Sequence, residues 1–109
     1  MNSDTTDTPF HLYSALHTSL SRADIADLYR SIGWEVHKLT WTDFEIRSPW
    51  AEFVIESESP ILMHGPIFCE SADIDALLAA PRGLGIQFEA ELYASNDKTL
   101  VRKWTNPPE

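Results

Sequence analysis

The chain has 109 residues, 43% of them hydrophobic, and a formal charge of −9 at pH 7. A chain of this length makes one domain that buries roughly two-thirds of the surface its unfolded form exposes. Its acidity argues against nucleic-acid binding through phosphates, which needs clustered Lys and Arg, and its apolar runs are too short for a membrane-spanning helix. One cysteine excludes an internal disulfide and a cysteine-based zinc site. The N-terminal MNSDTTDTP lacks the basic and apolar regions of an export signal, so the expected setting is the cytoplasm.

Residues 1–8 read as a disordered tail, 9–104 as the domain and 105–109 as a second tail. Thr8-Pro9 supplies an N-cap and a first helical position, and Phe10, Tyr13, Leu16 and Leu20 then fall on roughly one helical face. A first helix is expected there. The next helix is better marked: Ser21 caps it, Asp24 sits three residues on among free amide groups, and Ile25, Leu28, Tyr29 and Ile32 follow at helical spacing up to Gly33. That stripe is expected to be buried.

From Trp34 to Cys69 the period changes to two. Phe44 and Ile46 alternate with Asp43, Glu45 and Arg47, while Ala51, Phe53 and Ile55 alternate with Glu52, Val54 and Glu56; Pro49 places a turn between the two runs. Ile61 to Met63 reads as a strand covered on both faces, interrupted or bulged at Gly65-Pro66. Ser71 then caps another helix with Ile74, Leu77 and Leu78 as its apolar face, which Pro81 stops. In the strand from Leu84 to Ala94, Ile86, Phe88, Ala90 and Leu92 share one face and Gln87, Glu89, Glu91 and Tyr93 the other. A turn at Asn96-Asp97 leads to a last strand ending at Trp104, with Glu91 facing Arg102 for a two-residue loop or Glu89 facing Lys103 for a three-residue one.

The expected fold is therefore α+β, an antiparallel sheet with two or three helices on one face. The spacing of Ala23-Asp24-Ile25 with Leu28 matches that of Ala72-Asp73-Ile74 with Leu77. Either a helix–hairpin unit is duplicated, or capped helices before strands look alike for physical reasons.

Chemistry is sparsely marked. Cys69, near His64 and before a helix start, allows a Cys/His nucleophile pair, but its apolar neighbours Ile67 and Phe68 suit a shielded, structural thiol better. His11, His17, His37 and His64 fall in different elements with no metal-ligand spacing, so no metal and no cofactor is expected.

Charge is more informative: from Glu35 to Asp75 there are nine acids against two bases, Lys38 and Arg47. Trp41, Asp43, Glu45, Trp50, Glu52 and Glu56 together describe an acidic and aromatic sheet face that lacks local counter-charge. Such a face suits a non-catalytic binding module for a basic protein partner, of the inhibitor, immunity or adaptor kind. One alternative is a small-molecule-binding protein or enzyme with a cleft near His37, His64 and Cys69. Another is a homo-oligomer subunit with its tryptophans buried between copies.

Overall fold

The computed structural model describes residues 10–68, 73–94 and 99–107. In chain order the elements are β1 (Phe10–His17), α1 (Arg22–Arg30), β2 (Glu35–Lys38), β3 (Phe44–Ser48), β4 (Ala51–Glu56), β5 (Ile61–Ile67), α2 (Ile74–Gly83), β6 (Gln87–Ala94) and β7 (Leu100–Asn106). All seven strands form one sheet in the order β2-β3-β4-β5-β1-β6-β7, antiparallel at every pairing. Strands hold 50% of the described residues and the two short helices 21%. This overturns the α+β expectation, because the molecule is mostly antiparallel sheet.

The main correction is β1, expected as a helix. Phe10, Leu12, Ser14 and Leu16 turn inward, and His11, Tyr13, Ala15 and His17 turn outward. The alternation is masked in sequence because a serine occupies an inward position and a tyrosine an outward one. Ser14 is tolerated in the core because its hydroxyl donates to the Met63 carbonyl at 2.6 Å. Pairing with β5 on one side and β6 on the other outweighs a weak helix propensity.

Strand β5 runs through Gly65 and Pro66 instead of stopping at them. Its ladder with β4 joins Ala51 to Ile67 and Val54 to His64, with no pairs between, so the missing Pro66 N–H costs no bond there. Gly65 lies against the backbone of Glu52 and Phe53, where a Cβ would collide.

Helix α1 has the expected capping box: Ser21 Oγ accepts from the Asp24 N–H, and Asp24 accepts from the Ser21 N–H. Its buried side is Ile25, Ala26 and Tyr29; Leu28 is half-buried and Ile32 exposed. Helix α2 is capped by Asp73, whose side chain accepts from the Ala76 N–H, and continues past Pro81 to Gly83. The expected cap, Ser71, lies outside the described residues, as do Cys69 and the Asn96-Asp97 turn.

Both helices end on a glycine with positive φ, Gly33 and Gly85. The amides of Trp34 and Ile86 reach back five residues to the carbonyls of Tyr29 and Pro81. The two helices thus end alike but start differently: Ser21 caps α1 three residues before Asp24, whereas the matching Asp73 is itself the cap of α2. The sheet is not built as a repeat either, because β3, the second strand of the first hairpin, joins the central strands, whereas in the other hairpin the first strand, β6, does so.

One core holds the fold: Leu12, Leu16, Phe53, Ile55, Met63 and Phe88 from the sheet meet Ile25, Tyr29, Leu77 and Leu78 from the helices. Tyr29 is fully buried, and its hydroxyl donates to the Leu77 carbonyl at 2.9 Å. Burial holds its pKa well above the ordinary tyrosine value. At the far end of the sheet, the Trp104 indole N–H donates to Asp75 of α2 at 2.9 Å.

Candidate functional site

Because both helices pack into that core, no described helix covers the opposite face of the sheet. Strand alternation decides which side chains stand on it. Registry aligns His37, Glu45, Val54, His64, Tyr13, Glu91 and Lys103 in one line across all seven strands. Beside it runs a second line, Glu56, Leu62, Ala15, Glu89 and Thr105. Glu35, Arg47 and Glu52 align on the other side.

The middle of this face is aromatic. Tyr13, 39% exposed, stacks with His11 at 5.3 Å and with His64 at 6.0 Å between ring centroids, and meets the edge of Tyr93 at 5.7 Å. Carboxylates surround the rings. His64 Nε2 lies 2.6 Å from Glu56, His17 lies 2.9 Å from both oxygens of Glu89, and the Tyr93 hydroxyl donates to Glu91 at 3.0 Å. That last bond, with the carboxylate charge behind it, raises the Tyr93 pKa. This ring cluster was missed in the sequence because β1 looked helical, which scatters His11 and Tyr13 around a cylinder.

The six residues singled out from the sequence divide into three groups. Glu45, Glu52 and Glu56 do share the uncovered face, around Val54. Trp50 does not join them; it sits half-buried on the core side, 5.4 Å from Trp34 in an edge-on contact. Trp41 and Asp43 belong to the loop between β2 and β3.

That loop is bridged by its own hydrogen bonds. The amides of Leu39 and Thr40 donate to the Asp43 carbonyl at 2.9 and 3.3 Å, and Thr40 Oγ1 accepts from the amides of Thr42 and Asp43. Its tip leaves Trp41 91% exposed, with Leu39 half-exposed and the Lys38 ammonium 5.3 Å from the indole centroid. Arg22, in the first turn of α1, reaches Glu58 at 3.0 Å and Asp43 at 3.9 Å. A cation is disfavoured at a helix N-terminus, and these two carboxylates explain its place. Arg22 ties together the loops on either side of the β3–β4 hairpin, including Ser57 and Ser59 at positive φ.

Counter-charge is nearer than the sequence implied. Asp43 has Arg22 at 3.9 Å and Glu45 has Arg47 at 2.7 Å, while Glu56 is hydrogen-bonded with the His64 ring. Glu52 lies opposite Arg47 in register, but Arg47 turns to Glu45.

His37 stands on the edge strand beside Glu35, at 3.2 Å, and three strand spacings, roughly 14 Å, separate its strand from that of His64. The two do not converge, and Cys69 lies outside the described residues. Among the described residues, no three His, Cys, Asp or Glu side chains come together in a way that could hold a metal ion. No described helix is long and apolar enough to cross a membrane. Comparisons with protein-family models, with curated proteins and with solved structures found no match.

Proposed function

We propose that this chain is a non-catalytic binding protein that takes a basic partner protein onto the uncovered face of its sheet. Glu45, Glu52 and Glu56 supply the charged contacts, and Trp41, at the rim, the apolar one. The observation that carries this reading is the composition of that face: Glu35, Glu45, Glu52, Glu56, Glu89 and Glu91 stand against Arg47 and Lys103. A partner rich in Lys and Arg gains encounter rate from such a field.

Trp41 supports the same reading. An indole so exposed on a loop held by its own hydrogen bonds loses little freedom on docking and has a large apolar area to bury. Asp43 acts through Arg22, holding the loop, so its part is to position Trp41. The proposed setting is the cytoplasm, where a lone cysteine stays reduced.

The test is capture from extract of the source cells by the tagged protein, by Trp41→Ala and by Glu45→Gln with Glu52→Gln, followed by association kinetics of the captured protein at two salt concentrations. A basic protein retained by the native chain, weakened by Trp41→Ala and slowed in a salt-sensitive way by the double variant supports the reading. A partner acidic at its contact surface, or kinetics indifferent to both variants, removes it.

A further inference from the structure

On the half of the uncovered face away from Trp41, Ala15 creates a hollow. Its methyl group is flanked across the sheet by Leu62 and Glu89 and lies next to the line of His64, Tyr13 and Glu91, so larger side chains stand around a low floor. The depression has a volume of about 240 Å³. That is smaller than the roughly 300 to 1,000 Å³ of sites that enclose a whole small-molecule ligand. It is a size for one long side chain.

We propose that this hollow is a receptor for an arginine side chain of the partner protein. The floor of Ala15 and Leu62 is apolar and suits the methylene stem of the guest. One wall carries the Tyr13 ring, 39% exposed and held in place by its stacking on His64, and such an aromatic surface suits a flat cation. Glu89 and Glu91 close the opposite side. Each already receives one group, His17 and the Tyr93 hydroxyl respectively, but a carboxylate has about four acceptor sites. Capacity for a charged fork remains. Arginine fits better than lysine because its planar guanidinium can lie along a ring and donate to a carboxylate at once.

Lys103, opposite Glu91 on β7, also lines the hollow and competes with any cation entering it. That competition yields a signature that a diffuse acidic field does not. Removing the ammonium should tighten binding, while removing a carboxylate elsewhere on the same face should leave it unchanged.

The proposal rests on the reading of this face as a surface for a basic protein, yet it can be tested apart from it. The 109-residue chain, isotopically labelled, is titrated with N-acetyl-arginine methylamide and with the lysine analogue, following the backbone amide NMR spectrum. Saturable shifts centred on Tyr13, Ala15, Leu62 and Glu91 are expected, stronger for arginine. Glu91→Gln should weaken the binding roughly tenfold, as for loss of a charge-assisted hydrogen bond; Lys103→Met should strengthen it, and Glu35→Gln, an equal change of charge on the edge strand, should leave it as it was. The same spectra report whether each variant is folded. Shifts spread over all the carboxylates, or equal losses in Glu91→Gln and Glu35→Gln, overturn the proposal. Localised arginine binding with no basic partner in the cell upholds the hollow and fails the partner reading. A basic partner that needs Glu45 and Glu52 but ignores Glu91→Gln upholds the partner reading and sinks the hollow.

Discussion

Tyr29 shows how one side chain completes the backbone of a neighbouring helix. In an unbroken α-helix the Leu77 carbonyl would accept from the residue at 81, but that residue is Pro81 and has no N–H. The Tyr29 hydroxyl, delivered from α1, fills the gap. Tyr29→Phe should therefore cost about 1 to 3 kcal/mol, the usual effect of stranding a buried acceptor. In a Pro81→Ala background the amide returns, and the cost of Tyr29→Phe should shrink; urea unfolding of the four chains of this cycle measures the coupling. Burial also raises the Tyr29 pKa. Folding then favours the neutral phenol, so this contribution is fully present below the unfolded-state pKa, near 10, and is lost as pH rises above it. Tyr29→Phe should flatten that alkaline loss.

The same helix shows what a single side chain's sequence position can and cannot reveal. Ser21 and Asp24 were legible because a capping box is local chemistry, complete within four residues. The buried stripe was legible in its period but not in its exact phase. Ile25 and Tyr29 are buried as expected, but Ala26 takes the place given to Leu28, so the helix is rotated toward Ala26 on the sheet. Ile25→Ala should cost roughly 2 to 5 kcal/mol and Leu28→Ala distinctly less. Equal losses in thermal or urea unfolding would mean the half-exposed Leu28 is as well packed as the core.

Among the elements, legibility followed the clarity of alternation. β3, β4 and β6 alternate apolar with polar residues except at the outward Val54 and Tyr93, and each was placed with the correct face inward. β1 was not, because the reason for Ser14 lies on another strand, at the Met63 carbonyl. The hairpin register was also partly hidden. Tyr93 pairs with Leu100, as a two-residue loop requires, but a shift between Leu92 and Tyr93 leaves Val101 unmatched and sets Glu91 opposite Lys103. Neither register proposed from the sequence contains that extra residue. Gly65-Pro66 in β5 was read as a bulge or a strand end, and Gly65 proves to be a point of close approach within the strand. Gly65→Ala should destabilise by about 1 to 3 kcal/mol through overpacking against the β4 backbone, whereas a mere strand end would tolerate it. A stability change within a few tenths of a kcal/mol would show that β4 and β5 can part at no cost.

Over the whole molecule, one face of the sheet is buried and the other carries charge. The acidic character of Glu45, Glu52 and Glu56 was legible in the sequence, since alternation puts them on one side; their partners were legible only in part, since Arg47 lies two residues from Glu45 but the His64 ring reaches Glu56 from another strand. The structure singles out Glu52. Arg47 stands between Glu45 and Glu52 and bonds Glu45. Glu52→Gln should therefore raise stability at low ionic strength, by about 0.2 to 1 kcal/mol, because it removes repulsion without breaking a pair. Glu45→Gln should be near neutral, since Arg47 is then free to turn to Glu52. The double variant leaves Arg47 with neither, so its gain should fall short of that from Glu52→Gln alone. All three differences should narrow as salt shortens the screening length from about 30 Å at 0.01 M to about 10 Å at 0.1 M. Urea unfolding at those two salt concentrations decides it. If Glu52→Gln destabilises the protein at both, Glu52 shares Arg47 after all, and the excess negative charge that the face offers to a partner must come from Glu89 and Glu91 instead.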